Sequence, residues 1–298
     1  MQRAAGSDAR MREIGPRVIR DHMPEQHREF FEQLPTLVVG SVDAQQRPWA
    51  SMLAGLPGFI AAPDAQHLRI EAWPRIGDPL RAQLRVGAPL GLLGIEPQTR
   101  RRNRVNGRIV EVGDAVFVLQ VDQSFGNCPK YIQARAPQWI GEPSPIPAAQ
   151  RKGATLSATA VALIERADTL FIASSAAGEG VDVSHRGGKP GFVRVAQGPS
   201  GTVLTFPDFI GNFFFNTLGN ITAHPRAGLL FVGHETGGVL ELTGRATIIV
   251  GGPEVEGFTG AQRLVRIEAE EGLWTPGALP LRWSPPDFAV QLAGTGHW

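Results

Sequence analysis

From Leu34 onward, apolar and polar positions come in short bursts closed by turn signals, without the three-to-four spacing of long helices. Residues 36–42 and 49–53 read as two strands joined across Asp43-Ala44-Gln45-Gln46-Arg47. Residues 68–72 alternate cleanly, and 90–95 form the continuous apolar run of a buried strand. Residues 104–112 and 115–121 form a hairpin across Gly113-Asp114. Ahead of them, residues 1–33 carry mixed charge, with a helix predicted from Met23 toward Phe31 and Asp21 placed to cap it. The densest stretch is 206–232. Phe206, Pro207 and Gly211 mark a strand end and turn; His224-Pro225 ends a short helix, and 228–232 return as a buried strand. Asn212, Asn216, Thr217 and Asn220, at spacings of four, one and three, share one face of that helix. Such a face suits a planar, polar-edged ligand, or it simply meets water.

The second half repeats the order of the first. Thr36-Leu37-Val38 answers to Thr169-Leu170-Phe171 and Gly58-Phe59-Ile60 to Gly191-Phe192-Val193, both 133 positions on. Gly77-Asp78 answers to Gly211-Asn212 at 134. Leu92 to Ile95 answers to Leu229 to Val232, and Asn106-Gly107-Arg108 to Thr243-Gly244-Arg245, both at 137. A slow drift in one direction is what small loop insertions leave in a duplicated domain. Each half is thus about six short strands with one helical insert before the Leu-Leu strand. Closure into a small barrel removes the exposed edges of such strands. The expected architecture is mainly β, a β-barrel with α insertions occurring twice in tandem. Its parts are a helical segment at 1–33, a first barrel at 34–141, a stiff proline-rich linker at 142–154 and a second barrel with a C-terminal extension at 155–298. Residues 148–167 read as a helix leading into the second barrel, with Ala158, Val161, Ala162 and Ile164 toward its core.

Composition narrows the class. The 298 residues are 42% apolar and 19% charged, enough for two cores and unlike a disordered chain. A net charge of +1 argues against a general nucleic-acid binder. The single cysteine, Cys128, excludes a disulfide framework or a multi-cysteine metal cluster. No signal-like or membrane-spanning run is legible, so a cytoplasmic location is expected. The histidines lack zinc spacing, no metal site is expected, and no catalytic triad can be read.

Three separated motifs stand in order over residues 155–250. They are Asp182 to Val193 (DVSHRGGKPGFV), the GN and NTLGNI elements of residues 211–221, and Leu242-Thr243-Gly244-Arg245-Ala246. In these the second half resembles the pyridoxamine 5′-phosphate oxidase-like flavoproteins. The first half, with Asn106-Gly107-Arg108 and Phe125 to Ile132 (FGNCPKYI), looks like a more diverged copy. The resemblance implies FMN-binding split barrels of that type, with FMN in a groove between two barrels. It implies a flavin-dependent oxidoreductase acting on a small molecule, and it does not name the substrate or the catalytic residues. A non-catalytic flavin carrier serving a reductase partner, a deazaflavin or haem in place of FMN, and a homodimer stay open beside it.

An FMN site needs a phosphate cradle and polar ring edges. Ser184, Arg186 and Lys189 offer a hydroxyl, a planar fork and a point charge, with Gly187 and Gly188 letting backbone approach, or they form an ordinary polar turn. Asn212, Asn216, Thr217 and Asn220 suit the ribityl chain, the phosphate or the ring edge. Arg245, opposite Leu240 and Leu242 in alternation, reaches the flavin or bridges strands. Cys128 reads as a thiol nucleophile or a buried turn residue, and Tyr131 as a ring platform or core. Residues 99–104, rich in arginine, read as a solvated edge strand with Arg102, Arg104 and Arg108 on one face. In the first half, Arg186, Lys189, Asn216, Thr217 and Asn220 fall on Leu53, Leu56, Ala82, Gln83 and Val86, while Ser184 keeps Ser51. One site is therefore expected, with Asn127 to Tyr131 reaching across from the partner barrel.

Overall fold

The computed structural model describes residues 2–3, 6–141 and 148–298. In chain order the strands of the first half are β1 (Thr36–Val42), β2 (Pro48–Ala54), β3 (Ile60–Ala61), β4 (His67–Ile70), β5 (Pro89–Glu96), β6 (Arg101–Val112) and β7 (Phe117–Gly126). After the short β8 (Pro137–Trp139) and β9 (Gln150–Lys152) come β10 (Thr169–Ala176), β11 (Gly180–Gly187), β12 (Arg194–Gly198), β13 (Gly201–Asp208), β14 (Arg226–Val232), β15 (Val239–Ile249), β16 (Arg263–Thr275) and β17 (Leu281–Trp283). The first sheet runs β2-β1-β5-β6-β7-β4-β3 and the second β11-β10-β14-β15-β16-β13-β12. The two orders are the same order. Each half is a split β-barrel, and the chain is a tandem of two.

The duplication holds at single-residue register. Thr36 pairs Ala54 and Thr169 pairs Gly187; Gly40 pairs Gly91 and Ala173 pairs Gly228. Both halves carry a β-bulge at the same place, after Asn106 and after Thr243. Each bulge needs its glycine, because a Cβ on Gly107 would lie 1.9 Å from the Gln120 carbonyl oxygen and one on Gly244 2.1 Å from that of Glu268. The helical insert before β5 is one 3₁₀ turn, Pro79–Gln83, capped by the Asp78 carboxylate, which accepts from the Leu80 amide at 2.9 Å. The one before β14 is helix α4 (Asn216–Ala223). Seven strands per half replace the expected six, since β3 is too short to show an alternation.

Helix α1 (Asp8–Val18) lies in the segment expected to be helical, but its bounds were not read, its surface being charged nearly all round. Helix α2 (Glu25–Glu32) matches the reading from Met23 but has no side-chain cap; Asp21 bonds His22 at 2.8 Å instead. The helix expected over 148–167 is confined to α3 (Ala158–Arg166), where Ser157 accepts from the Ala160 amide at 3.3 Å. Before it, residues read as linker and helix form a strand not foreseen, β9, which pairs with β16. The proline-rich linker itself, at 142–147, lies outside the described residues. No helix among the described residues is long and apolar enough to cross a membrane. The last helix, α5 (Pro253–Glu256), is one turn.

Each barrel has its own core, and a third apolar cluster joins them, with Val38, Met52, Leu93, Phe171, Val183 and Leu230 among its members. The halves meet through strand pairs equivalent under the repeat. A Cβ on Gly91 would stand 2.5 Å from the Val181 carbonyl oxygen, and one on Gly228 2.4 Å from that of Pro48. Backbone therefore touches backbone at both crossings. The C-terminal extension adds a further tie, β17 pairing with β8.

One polar cluster is buried at this seam. Glu241 of β15 meets the Arg75 guanidinium at 3.1 Å, with Asp78 3.4 Å from the same group and accepting from the Ser51 hydroxyl at 2.7 Å. Burial, and then the Asp78 carboxylate, push Glu241 up to about 8. A carboxyl raised on folding makes the native state bind more protons than the unfolded chain between the two pKa values. Stability from Glu241 is thus complete below the usual glutamate range and is lost as pH rises toward about 8. Denaturant unfolding from pH 4 to 9 should show wild-type stability falling relative to Glu241→Gln, by up to ~1.4 kcal/mol per pH unit. Parallel curves would show that Glu241 is ionised in the fold.

Candidate functional site

Strand β6 is central in its sheet, flanked by β5 and β7, so its arginines are not on an edge. Alternation does put Arg102 and Arg104 on one face, as read, with Asn106 beside them, but that face is covered by β11 of the other half, and the bulge after Asn106 takes Arg108 off it. Arg104 donates to Asp182 at 3.1 Å and to the Ser184 hydroxyl at 2.6 Å. Asn106 donates to Asp182 at 2.9 Å, and Arg102 reaches His185 Nδ1 at 3.3 Å. Only Arg108, beyond the bulge, keeps the solvated setting expected for all three.

Above this contact lies a cleft of about 960 Å³, mouth included, walled by both halves. The first half gives Arg102, Arg104, Asn127, Cys128, Lys130 and Tyr131. The second gives residues 184–187, the run 208–218, Gln262 and Arg263. Of the expected site residues, Ser184, Arg186, Gly187, Asn212, Asn216 and Thr217 line it together. The Thr217 hydroxyl donates to Ser184 at 2.9 Å.

Three expected residues are placed elsewhere. Lys189 gives its ammonium to the Thr295 carbonyl at 2.6 Å, fixing the C-terminal extension. Asn220 bonds Ser174 at 3.2 Å and Asp182 at 3.4 Å, bracing β10 against β11. Arg245 stands on the outer sheet surface 3.5 Å from Glu270 and bridges strands. Gly188, expected to open its backbone to a ligand, gives its amide to the Asp168 carbonyl at 3.0 Å. Gly187 has a different reason to be glycine: a Cβ there would lie 1.9 Å from the Tyr131 carbonyl oxygen, where the first half crosses the second.

Asn212 is not on the helix. It accepts from the Phe214 amide at 3.3 Å in a turn, and Phe213 and Phe215 take φ of 64° and 60° before α4 begins. Tyr131 has φ 65° as well, so three of the five non-glycine residues with positive φ among the described residues line this cleft. Each costs about 1–3 kcal/mol and persists only because its surroundings over-determine it. The strain turns aromatic rings to the cleft wall: Tyr131 lies 5.1 Å from Phe209, and Phe214 6.1 Å from Phe125 of the first half. Cys128 is a free, half-buried thiol on the same wall.

The electrostatics are lopsided. Arg102, Arg104, Arg186 and Arg263 face two carboxylates, Asp182 and Asp208. Arg186 and Arg263 share Asp208, at 3.5 and 3.0 Å. Arg102 has no carboxylate partner, and burial followed by Arg104 and Arg186 pushes it down to about 9. Burial also lowers Arg104, against the pull of Asp182, and raises Asp208 against the pull of its two arginines. His185 is held well below its ordinary value by burial and then by Arg102 and Arg186, so it is neutral. The Nε–H groups of Arg102, Arg104 and Arg186 are enclosed and have no hydrogen-bond acceptor. Buried donors left unpaired are costly, and four guanidiniums against two carboxylates leave an excess of positive charge at the cleft.

At the position equivalent to Arg104 in the other half, 137 residues on, stands Glu241. Arg102 answers to Val239 and Arg186 to Leu53, both apolar and buried. The pseudo-equivalent place is thus closed by the acidic cluster of Glu241 and Asp78 around Arg75.

No protein-family model and no curated protein sequence matches the chain. Among solved structures it is similar to HupZ from Group A Streptococcus, at 14% identity over 39% of this chain and 90% of that one, with TM-score 0.32. It is similar to HutZ, the heme storage protein from Vibrio cholerae, at 15% identity over 41% and 95%, TM-score 0.28. Over 79% of its length, and 88% of the other's, it is similar to MotI/DgrA, an inhibitor of motility from Bacillus subtilis, at 10% identity and TM-score 0.24.

If the arginines exist for an anion and not for the fold, Arg102→Met should leave stability without added anion unchanged or raise it by about 1–3 kcal/mol, since a buried unpaired charge is exchanged for apolar volume. The stabilisation that inorganic phosphate gives the wild type should shrink. Urea unfolding with and without phosphate measures both. A loss of several kcal/mol in phosphate-free buffer would make Arg102 a structural residue.

Proposed function

We propose that the chain binds one FMN in the cleft between its halves and acts as an FMN-dependent oxidoreductase on a small molecule. The observation that carries this reading is the excess of guanidinium over carboxylate at the cleft, Arg102 and Arg104 from the first half with Arg186 and Arg263 from the second, against Asp182 and Asp208. A phosphate monoester brings about −1.5 to −2 of charge and three acceptor oxygens. That matches four guanidiniums opposed by two carboxylates. Arg102, Arg104 and Arg186 would hold the phosphate, with Arg263 and Asp208 keeping Arg186 oriented. Ser184 and Thr217, already hydrogen-bonded to each other, hold Arg104 at its post. Asn212 and Asn216 supply amides on the cleft wall, and Phe213, Phe214 and Tyr131 supply ring surface that keeps water off a planar ligand. When bound, the flavin supplies hydride or electron transfer.

A haem reading would turn on an axial ligand, for which the cleft offers His185, Cys128 and Tyr131. His185 is the one histidine lining the cleft among the described residues; Arg102 holds its Nδ1, and Phe171 packs edge-on 5.9 Å away. The flavin reading rests on the guanidinium cluster, which a phosphate monoester matches and a bare axial ligand does not use.

The purified protein should carry or take up one FMN per chain, measured by visible absorbance and extraction. Riboflavin, lacking the phosphate, should bind at least tenfold more weakly. Arg186→Ala should weaken FMN by roughly 1.5–3 kcal/mol, about one charge-assisted hydrogen bond, and leave riboflavin affinity nearly unchanged. Two flavins per chain, or equal affinity for FMN and riboflavin, would contradict the assignment. Turnover with NAD(P)H separates an enzyme from a flavin carrier.

A further inference from the structure

A second cavity lies between the halves, sharing His185 with the cleft. Its space is about 530 Å³, mouth included. Its walls come from positions that the repeat makes equivalent. Thr36 and Thr169 both line it, as do Val38 and Phe171, Met52 and His185, and Ile95 and Val232. It therefore straddles the pseudo-two-fold axis, yet its two sides differ in chemistry. The first half contributes Val38, Met52, Leu93 and Ile95, with the polar side chains of Thr36, Gln133 and Arg135 at their margin. The second contributes Phe171 and Val232, together with the imidazoles of His185 and His234.

The charges around this cavity cancel. Arg135 is buried and paired with Asp168 at 2.5 Å. His234 packs edge-on to Trp283, with ring centroids 5.3 Å apart. Burial, and then Arg135, push His234 down to about 4, and His185 is neutral for the reasons given above. A neutral imidazole can donate from one ring nitrogen and accept at the other, and it carries no net charge with which to pair an ion. An apolar chamber with a few convergent polar groups is the usual form of a small-molecule site.

We propose that this cavity binds a small uncharged molecule with an apolar body and one hydroxyl or carbonyl. The body lies among Met52, Phe171 and Val232, and the polar group meets His234. This site goes beyond the flavin reading and does not depend on it.

Methyl-labelled methionine reports on the site directly. The chain has four methionines, and among the described residues Met52 is the one lining this cavity; Met23 is buried in the first barrel's core and serves as an internal control. In ¹³C-methyl spectra of the full chain, with Met52→Leu for assignment, 4-fluorophenol should move the Met52 signal saturably and leave Met23 in place. 4-Fluorobenzoate, of similar size but charged, should bind at least tenfold more weakly. Val232→Phe, or Ile95→Phe if the first fails to fold, fills the chamber and should weaken 4-fluorophenol at least tenfold. A Met52 signal that does not respond, or that responds equally to the benzoate, overturns the proposal. So does unchanged 4-fluorophenol binding in a folded filled variant.

Discussion

The close approach of backbone to backbone at Gly91 and Gly228 decides how the two barrels can meet. A side chain at either position would collide with a carbonyl of the opposite half at about 2.5 Å. With both crossings free, β5 rests on β11 and β14 on β2 in the same way, and the third apolar cluster closes between them. Every later feature depends on that docking. It lays the face of β6 that carries Arg102, Arg104 and Asn106 against Asp182, Ser184 and His185, and it brings Tyr131 over Gly187. Neither half holds the cleft alone.

A duplicated domain docked through equivalent strands should produce two equivalent grooves. The sequence breaks the symmetry at few positions. Arg104 in one groove answers to Glu241 in the other, Arg102 to Val239, and Arg186 to Leu53. In the first groove, guanidiniums outnumber carboxylates and three donors stay unpaired. In the second, two carboxylates share one guanidinium, and burial keeps Glu241 toward its neutral form. The same backbone thus makes one place rich in guanidinium and one rich in carboxylate. The strained φ values at Tyr131, Phe213 and Phe215 fall on the anion side as well, where the unpaired donors are.

Much of this was legible because the repeat is. Five matched segments at slowly drifting offsets were enough to foresee two barrels of the same strand order, with a cleft walled by both and the stretch at Asn127 to Tyr131 crossing over. What misled was the use of local pattern where tertiary context rules. The run at 99–104 reads as a solvated edge because arginine rarely lines a seam; the signal against it was in the repeat, where a second charged residue, Glu241, occupies Arg104's inward position. Asn212 and Asn220 share a helical face only if the helix starts at 212. Two phenylalanines in left-handed conformation postpone it to 216, a backbone choice that propensity does not forecast. Lys189 and Arg245 have the right chemistry for a phosphate, but Thr295 and Glu270 claim them. Asp208 and Arg263 came together only through the pairing of β13 with β16, across more than fifty residues.

The account rests on a phosphate meeting guanidiniums from both halves. The ³¹P resonance of FMN in the protein, followed from pH 5 to 8, measures that meeting. Free phosphate monoesters titrate near pH ~6. Enclosed among Arg102, Arg104 and Arg186, the bound phosphate should remain a dianion over the whole range, with a flat shift, and should regain a titration in Arg102→Met. A bound flavin whose phosphate titrates as it does in water would place that phosphate in solvent and contradict the account.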